Sequence, residues 1–493
     1  MFHPLLYEIN TRCWLRALSH RHGGAVTLAT VPDEEFAQWK KCGFTHIWLM
    51  GVWTTGPRAR EMAMNEPNLR RAYDELLPDW RDEDVAGSPY SIAAYEVPRT
   101  LGGEAGLKDF RNRLHQAGLK LILDFVPNHL GIDHRWLHKQ PELFVQSAAP
   151  VEGTIAQSTP DGTRWIALAK DPYFPPWSDV VQLEYRSALT RARMQDLLLS
   201  VVERCDGVRC DMAMLLLNDV FARTWADFPF PGKHPETEFW EEAIPAVRQV
   251  RPDFLFLAEV YWGLEGCMQS LGFDYTYDKQ LYDDLIWRNP SGVQKHLLGA
   301  TQSFVAACAH FLENHDERRV AGVLTLEEHR AAALVTLGLP GMRFLHEGQL
   351  TGARIKAPVQ LGRLPAEATQ PEVREMYDSI LTALTRSAVG RGQGEVLTPR
   401  EAWPGNGTAQ NFVVVQWQAH PVEFDLVVVN LAPHRSQCYV SLKVPNLSTH
   451  NWSLRDLLGA EGYERFGNDL EGQGLYLDCP AHGAQLFHFT PVK

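Results

Sequence analysis

The stretch Gly207-Val-Arg-Cys-Asp211 places a carboxylate directly after a short apolar run, the pattern of a buried β-strand that ends in a functional side chain. Three further segments repeat this pattern along the chain: Asp124-Phe-Val-Pro-Asn-His129, Leu257-Ala-Glu259 and Phe311-Leu-Glu-Asn-His-Asp316. Carboxylates carried by different strands converge only when those strands are neighbours in one parallel sheet. Functional groups gather in this way at the carboxyl ends of the strands of a (β/α)8 barrel, so the four segments together predict that fold.

The rest of the chain up to about residue 390 supports a barrel, because strand-like runs alternate with amphipathic helix-like runs. Eight strands are predicted, at Tyr7–Leu15, Thr45–Trp53, Lys120–Val126, Gly207–Met212, Phe254–Val260, Phe273–Tyr277, Ala309–Leu312 and Met342–His346. Helices are predicted at Glu34–Cys42, Gly106–Ala117, Leu189–Glu203, Phe239–Val250, Gly292–Ala307, Leu326–Leu337 and Glu372–Ser387. This alternation is typical of a parallel sheet covered by helices, here an α/β TIM (β/α)8 barrel.

Two connections between predicted elements are long. Thr54–Pro89 follows the second strand, and Leu130–Gln182 follows the third without clear periodicity. Connections longer than about 15 residues are usually functional. Because both follow strands, both are expected to overhang the face of the barrel that carries the carboxylates.

The sequence changes character after the linker-like Gly390-Arg-Gly-Gln-Gly394. Short alternating runs broken by Asn, Pro and Gly predict a compact antiparallel β-sandwich. These runs are Phe412–Gln416, Phe424–Val429, Cys438–Leu442 and Gln485–Phe489. The predicted organisation is therefore a barrel from 1–129 and 183–390, a loop subdomain inserted at 130–182 after the third strand, and a C-terminal β domain at 391–493.

Composition excludes several classes of function. The chain carries 47 Lys and Arg against 60 Asp and Glu, a net charge of −13 spread without a basic stripe, which argues against nucleic acid as a partner. No apolar run approaches the ~20 residues of a membrane span, so no membrane partner is expected. The N-terminal residues lack the pattern of a signal peptide. The eight cysteines form no close pairs, which favours free thiols and a cytoplasmic location.

In order and spacing, the four segments resemble the characteristic regions of the α-amylase family of glycoside hydrolases. Cleavage of a glycosidic bond with retention needs one carboxylate as nucleophile and one as acid/base. The resemblance therefore implies a retaining α-glycosidase that acts on α-linked oligosaccharides or short glucans by double displacement, without a cofactor.

The resemblance assigns roles to three carboxylates. Asp211 matches the nucleophile, and Arg209 precedes it by two residues, on the same face of the strand. A guanidinium beside the carboxylate keeps it ionised, although a buried structural ion pair would give the same pattern. Glu259 matches the acid/base and ends an apolar run that raises its pKa toward the value a proton donor needs. Asp316 matches the carboxylate that binds sugar hydroxyls.

Other positions match supporting residues of the family. His129 and His315 are predicted to hydrogen-bond the sugar in the cleaved subsite as neutral imidazoles, and Tyr90 to stack under the same sugar. Arg209 is grouped with these substrate-binding residues. Asp124 is predicted to act from behind the site by orienting Arg209.

A metal site is not predicted. In many family members an acidic residue in a Pro-Asp-Leu-Asn-like stretch binds calcium, whereas the similar stretch here, Val181-Gln-Leu-Glu184, has Gln182 at that place. Calcium needs several oxygen ligands with charge among them. Asn128 is retained but is expected to have lost its usual partners.

A second departure concerns specificity. Starch-cleaving members usually continue the nucleophile segment with a Lys-His pair that binds the acceptor side of the substrate, whereas this chain has Met214-Leu215. An apolar acceptor side is therefore expected. With two long loops over the same face, the sequence predicts a narrow pocket that prefers short substrates to polymeric starch.

Two alternatives remain open. The first is a transglycosidase that transfers a glucosyl or maltosyl unit to a sugar or phosphate acceptor. It is suggested by Met214-Leu215 and by four loop arginines, which equally fit a solvated charged surface: Arg58, Arg60, Arg70 and Arg71. A loose similarity to the maltosyltransferase branch of the family adds to it, in Trp136–Phe144, Pro160-Asp-Gly162 and Pro172-Tyr-Phe-Pro-Pro-Trp177. The second is a non-catalytic carbohydrate-binding barrel, although such members typically lose carboxylates that are all present here.

Overall fold

Eight parallel strands close into a barrel in the computed structural model, which describes residues 3–159, 162–420 and 422–492. Each strand pairs with its neighbours in chain order, and the eighth pairs with the first. The strands are β1 Leu5–Asn10, β2 His46–Met50, β3 Lys120–Phe125, β4 Gly207–Cys210, β5 Leu255–Ala258, β6 Tyr275–Tyr277, β7 Cys308–His310 and β8 Met342–His346. The predicted TIM barrel is confirmed, with each strand close to its predicted place.

The register of β3, β4 and β5 aligns the residues that follow them. Arg209 pairs with Asp124 on one side and with Leu257 on the other. The ladder continues past the strand ends, because the Asp211 amide donates to the Phe125 carbonyl and the Glu259 amide to the Cys210 carbonyl. The two carboxylates therefore leave the barrel side by side at its carboxyl end.

Gly207 allows these three strands to approach. A Cβ at this position would lie 2.6 Å from the Ile122 side chain and 2.7 Å from the Leu255 carbonyl oxygen. Any larger residue at the start of β4 would push apart the strands that carry the site.

The first predicted strand is too long at its carboxyl end. The chain leaves β1 at Asn10, whose side chain accepts a hydrogen bond from the Cys13 amide and so caps a helix at Thr11–His22. Residues Trp14, Leu15 and Leu18 are buried at helical spacing. The apolar pair at 14 and 15 made this segment look like a continued strand.

Helices cover the outside of the barrel. They lie at Thr11–His22, Asp33–Lys41, Gly103–Gln116, Ala188–Val202, Asn218–Thr224, Phe239–Val250, Glu265–Ser270, Lys279–Ile286, Pro290–Gly299, Gln302–Ala306, Leu326–Gly338 and Pro371–Arg386. The predicted single helix over 292–307 is two helices. A new helix starts after Thr301, whose hydroxyl accepts from the Phe304 amide and caps it.

The two long connections contain regular structure that the sequence analysis did not predict. The first carries helices at Pro57–Asn65 and Pro67–Leu76, each with proline in its first turn, a favoured position. The second carries a short helix at Trp136–Lys139 and a three-stranded antiparallel sheet of Gln146–Ser147, Thr154–Thr159 and Gly162–Ala167. Residues 160 and 161 of the segment similar to maltosyltransferases lie outside the described residues.

Two short strands lie at the base of the second connection, where His129–Gly131 pairs with Val180–Gln182. This pairing lies next to the predicted bounds of the inserted subdomain. On this arrangement of the sheets, we propose that residues 130–182 form an inserted subdomain and that the C-terminal domain begins at residue 391.

The C-terminal part contains two antiparallel sheets. The strands are β9 Gln393–Leu397, β10 Pro399–Glu401, β11 Phe412–His420, β12 Glu423–Asn430, β13 Ser436–Val440, β14 Asn451–Asp456, β15 Gly462–Phe466, β16 Leu475–Cys479 and β17 Ala484–Pro491, with a helix at Gly467–Gly472. One sheet has the order β9-β11-β12-β17-β14-β15 and the other β10-β13-β16. The predicted antiparallel β domain is confirmed.

The larger sheet is buried on both faces, which explains its nearly continuous apolar strands. Along β11, Val413 and Val415 belong to the core shared with the barrel, whereas Phe412 and Val414 belong to the core between the two sheets. The indole of Trp417 donates a 2.7 Å hydrogen bond to the carbonyl of Gly338 in the barrel. Alternating residues thus fasten this sheet to the barrel and to its partner sheet.

Among the residues that the structure describes, no helix combines the length and apolar character needed to cross a bilayer.

Candidate active site

Arg209 lies at the centre of the carboxylate cluster. Its side chain is fully buried. It donates two hydrogen bonds of 2.7 Å, one from Nη1 to Asp211 Oδ1 and one from Nη2 to Glu259 Oε2. One guanidinium therefore links the two carboxylates predicted to perform the reaction. Arg209 is buried beneath these two carboxylates and does not line the cavity. The structure therefore does not place it among the substrate-binding residues, where it was predicted, and it contacts the carboxylates from behind.

Asp124 lies behind Arg209, as predicted. Its Oδ1 is 3.7 Å from Arg209 Nη1, and its Oδ2 accepts a 3.2 Å hydrogen bond from the Gly51 amide. Burial raises the pKa of Asp124 to about 7, an effect that Arg209 opposes. Its contact with Arg209 is thus electrostatic at this distance and not a hydrogen bond.

Glu259 has donors at both carboxylate oxygens. Oε2 accepts from the Met212 amide at 2.8 Å as well as from Arg209, and Oε1 accepts from the Tyr261 hydroxyl at 2.8 Å. Burial raises the pKa of Glu259 to about 7, and Asp211 and Asp316 add to this effect while Arg209 opposes it. A carboxyl group with this pKa can both give and take a proton near neutral pH.

Asp211 differs from Glu259 in its partners. Burial raises its pKa, but both the charge and the hydrogen bond of Arg209 favour the ionised form. Asp211 and Glu259 are close enough to titrate as a pair, because the charge on one carboxylate raises the pKa of the other. A state with one proton on the pair, carried by Glu259 while Asp211 is ionised, is compatible with these contacts. This is the division that a nucleophile and an acid require.

Asp316 completes the cluster from the loop after β7. Its Oδ2 lies 2.9 Å from His315 Nε2, its amide donates to Asn314 Oδ1 at 2.9 Å, and its carbonyl accepts from Lys356 Nζ. The side chain of Asp316 is 49% exposed. Its partial burial favours the protonated form, but His315 lowers its pKa well below the usual range. Asp316 is therefore ionised at neutral pH.

His315 does not match the predicted neutral imidazole. It lies between two carboxylates, with Nδ1 against Glu8 and Nε2 against Asp316. Burial lowers its pKa, but these two carboxylates raise it well above the ordinary value. The Tyr90 hydroxyl is 2.7 Å from Nε2, and the two rings stack at 5.3 Å.

His129 is predicted to hydrogen-bond the sugar as a neutral imidazole. Burial lowers its pKa to about 3, so its imidazole is neutral, and it lines the cavity with its ring 5.4 Å from that of Trp177. Its Nδ1 lies 3.3 Å from the side-chain amide of Asn128.

Asn128 and Gln182 occupy the place where related proteins are expected to hold calcium. The side-chain amide of Gln182 donates to the Asn128 carbonyl at 2.9 Å, to Asn128 Oδ1 at 3.0 Å and to the Leu183 carbonyl at 3.2 Å. The two N–H groups of this amide are thus shared among three oxygens that could otherwise bind a cation. Since no carboxylate takes part in this group, these residues do not fit calcium.

A cavity of about 360 Å³ brings the predicted residues together at the carboxyl end of the barrel. Asp211, Glu259 and Asp316 all line it, with Tyr90 and His129. Both long connections contribute, the first through Ser88 and the second through Trp177, Asp179 and Val180, which confirms that they overhang this face. The remaining lining residues are Met212, Tyr261 and Gln360.

Sequence reasoning missed several of these residues. Tyr261 follows Glu259 by two positions, a spacing that could have drawn attention to it. Trp177 lies in the segment that resembles the maltosyltransferases, where its aromatic ring was not predicted to reach the cavity. Asp179 and Gln360 stand in loops without a periodic pattern, and nothing in the sequence distinguished them.

Met214 and Leu215 do not form an apolar acceptor surface. Both are buried, at 0% and 3% exposure, in the short 3-10 turn Ala213–Leu216 that follows Asp211. The expectation of an apolar acceptor side at these positions is wrong, because they pack into the core instead.

The loop arginines are tied to their own surroundings. Arg60 donates to the carbonyls of Val85 and Asp82, and Arg58 donates to the Ile132 carbonyl at 3.5 Å. Arg70 lies over the ring of Trp80, and Arg71 donates to Asn68. None of the four lines the cavity described above.

Comparisons with known proteins agree with this geometry. The α-amylase catalytic-domain model matches residues 37–357. The chain is 27% identical over 285 residues to an α-amylase of Haloarcula japonica, covering 55% of this chain and 37% of that protein. It is 26% identical over 219 residues to an α-1,4-glucan:maltose-1-phosphate maltosyltransferase of Streptomyces coelicolor, covering 42% and 26%. The chain thus spans well under two thirds of the length of these curated relatives.

Solved structures share the fold. A noncanonic maltogenic α-amylase from Thermotoga neapolitana superposes with a TM-score of 0.68 at 18% identity, over 99% of both chains. At this identity the likeness concerns the fold alone. The family model covers more than half of the chain, and on that match the chain belongs to the α-amylase family.

Proposed function

We propose that this chain is a retaining enzyme that cleaves α-glucosidic bonds of oligosaccharides or short α-glucans by double displacement. The observation that carries the proposal is the single guanidinium of Arg209, which holds Asp211 and Glu259 side by side on adjacent strands at the wall of one cavity. The reaction requires two neighbouring carboxyl groups, one as nucleophile and one as acid/base.

In the first step, Asp211 attacks the anomeric carbon while Glu259 gives its proton to the leaving oxygen. The glycosidic bond breaks as an ester forms between the sugar and Asp211. In the second step, the ionised Glu259 takes a proton from water or from a sugar hydroxyl, which attacks the same carbon and releases Asp211. Two inversions at one carbon retain the α-configuration.

The remaining lining residues support this use of the cavity. Asp316 is ionised by His315 and stands ready to accept hydrogen bonds from sugar hydroxyls. Tyr90 and Trp177 offer aromatic surface to the apolar faces of the sugar. A non-catalytic carbohydrate-binding barrel would not need three carboxyl groups gathered around one cavity.

Transfer to a sugar acceptor remains the second candidate, because a maltosyltransferase is among the relatives. Both long connections also form part of the cavity wall, and exclusion of water favours transfer over hydrolysis. The charge of the cavity disfavours phosphate as the acceptor. Four carboxylates line it, from Asp179, Asp211, Glu259 and Asp316, and no lysine or arginine is among its described lining residues. A phosphate group would meet mainly negative charge there.

The test is product analysis with maltose, trehalose, sucrose, isomaltose, maltotetraose and maltose 1-phosphate, with and without added sugar acceptor or inorganic phosphate. We expect cleavage of an α-glucosyl substrate, no glycosyl phosphate, and longer products only when a sugar acceptor is added. Formation of a glycosyl phosphate would contradict the charge argument. No turnover of any α-glucoside would contradict the proposal itself.

We further propose a reducing compartment such as the cytoplasm. All eight cysteines lie in the described part of the chain as free thiols, and seven of them are buried. Free thiols persist where glutathione and thioredoxin keep them reduced.

A further inference from the structure

Glu8 is a buried carboxylate on a barrel strand, and it belongs to none of the four motif segments. It lies on β1, between β2 and β8, with an exposure of 0%. Its Oε1 contacts His315 Nδ1, while its Oε2 has no hydrogen-bond partner among the described residues. Transfer of a carboxylate from water to a protein interior costs free energy unless a partner compensates its charge. Glu8 therefore needs a compensating group.

The hydrogen-bond geometry of His315 supplies that group. A neutral imidazole carries one N–H and can donate at only one nitrogen, whereas an imidazolium donates at both. The carboxylates of Glu8 and Asp316 lie at Nδ1 and Nε2 as acceptors, and the Tyr90 hydroxyl also lies 2.7 Å from Nε2. An imidazolium can donate to both carboxylates. A neutral imidazole that donates to Glu8 can only accept at Nε2, from the Tyr90 hydroxyl, and makes no hydrogen bond to Asp316.

Two aromatic side chains hold the imidazole ring of His315 in place. Tyr90 stacks on it at 5.3 Å, and Trp48 meets it edge-on at 5.6 Å. These contacts fix the plane in which the two N–H groups point. The side chain is thus oriented along a line from Glu8, inside the barrel, to Asp316 in the cavity.

We propose that Glu8 is a positioning residue that holds His315 as an imidazolium, which in turn keeps Asp316 ionised and aimed into the cavity. The link to turnover rests on the proposed function, whereas the charge state of His315 does not.

The summed charge of Glu8, His315 and Asp316 indicates how Glu8 would affect the reaction. The transition state of glycoside cleavage resembles an oxocarbenium ion and carries positive charge. An imidazolium beside Asp316 alone would cancel the charge of that carboxylate. The carboxylate of Glu8 restores one net negative charge to the group of three, which favours the transition state while Asp316 keeps its donor.

Other charged and titratable groups surround the three. Those that act on His315 or Asp316 from other elements are Tyr90, Asp124, Arg209, Asp211, Glu259 and Lys356, and those near Glu8 are Tyr277, His346 and Glu347. Asp316 and Glu8 are the main groups that raise the pKa of His315 against burial. Loss of the charge at Glu8 is therefore expected to lower that pKa, while Asp316 still holds part of the shift.

The test is the protonation of His315 followed by ¹⁵N NMR of the imidazole in wild type, in Glu8→Gln and in Glu8→Asp. The glutamine keeps the shape and an acceptor at Nδ1 but removes the charge. We expect His315 to stay protonated through neutral pH in wild type, to titrate at lower pH in Glu8→Gln, and to remain close to wild type in Glu8→Asp. Glu347→Gln is the matched control, because that partly buried carboxylate accepts from the Asn10 amide and not from His315.

Kinetics provide the second readout. In Glu8→Gln we expect kcat to fall roughly 10- to 100-fold with little change in KM, as for a misplaced catalytic group. The deficit relative to wild type should grow as pH rises, because His315 loses its proton earlier. A purely structural role would give a deficit that does not depend on pH.

Several results would overturn the proposal. One is a neutral His315 in the wild type at pH 7, which needs no variant to observe. Another is an unchanged His315 titration in a folded Glu8→Gln. Because the NMR experiment uses no substrate, it tests Glu8 even if the protein cleaves no α-glucoside, so failure of the proposed function and failure of this inference are distinguishable.

Discussion

The Tyr261 hydroxyl donates a 2.8 Å hydrogen bond to Oε1 of Glu259. Tyr261 follows Glu259 by two residues at the end of β5, and both line the cavity. A hydrogen bond to the ionised form of a carboxylate stabilises that form and lowers the pKa. Tyr261 therefore works against burial, which raises the pKa of Glu259 to about 7.

The pH dependence of kcat/KM should report this balance. Glu259 must carry a proton to act as the acid, so activity is expected to decline as pH rises through about 7, the pKa of that group. In Tyr261→Phe the pKa of Glu259 should be higher, and the alkaline limb should move to higher pH. A limb that moves to lower pH, or does not move, would show that Tyr261 does not act on the charge of Glu259. Tyr463→Phe, in the C-terminal sheet, serves as a control.

The elements that sequence reasoning located well share a local signal. β8 and the helix Phe239–Val250 have the predicted bounds, because each has uniform apolar patterning and marked ends. Asp211, Glu259 and Asp316 were found because each follows a strand within a known motif. Parallel pairing then brings them together without any further information.

What the sequence did not reveal depends on contacts between distant segments. Glu8 and His315 are 307 residues apart, and only barrel closure makes them partners. The prediction of a neutral His315 rests on its local motif and does not include the contact with Glu8. Likewise, Met214 looked like an acceptor-side residue until the turn after Asp211 placed it in the core.

Asp211→Asn and Glu259→Gln should each abolish turnover while the protein remains folded. Both changes preserve shape, so the loss reports chemistry, and removal of a nucleophile typically costs about 10⁴-fold or more in kcat. Activity on an unactivated oligosaccharide and circular dichroism together check this. Asp219→Asn is a matched control on the surface, where Asp219 pairs with Arg223. A tenth of the wild-type activity in either site variant would contradict the assigned roles.

The first product of hydrolysis should have the α-configuration. Attack by Asp211 and then by water inverts the anomeric carbon twice, as expected when the two carboxyl groups stand roughly 5–5.5 Å apart. Proton NMR during the first minutes, before the anomers equilibrate, gives the answer. A β-configured first product would mean that water attacks directly and that Asp211 is a base.

Removal of divalent cations should change neither activity nor melting temperature. The Gln182 amide already satisfies the Asn128 oxygens that would otherwise bind calcium. Thermal unfolding and activity with EDTA, then with excess Ca²⁺, measure this. A loss of several degrees that Ca²⁺ reverses would show that a cation binds elsewhere in the protein.

Short substrates should be preferred to polymeric starch, because two segments that line the cavity also contact each other. Tyr173, in the inserted connection, meets Trp262, three residues after Glu259, at 5.0 Å between ring centroids. Trp177 and Tyr261 line the cavity below on these same two segments. A glucan chain passing through an open groove would have to separate this contact, whereas a chain end can enter beneath it.

The measurement is the ratio of kcat/KM on maltooligosaccharides to that on soluble starch, followed by the same ratio in Tyr173→Ala. Removing the ring should open the mouth, so the ratio should fall in the variant. Trp403→Ala is the control, because Trp403 is an exposed aromatic residue in the C-terminal part, which contributes no residue to the cavity lining. Rapid loss of starch viscosity with the wild type would show mid-chain cutting and an open groove. An unchanged ratio in Tyr173→Ala would show that the preference comes from the cavity itself and not from the Tyr173–Trp262 contact.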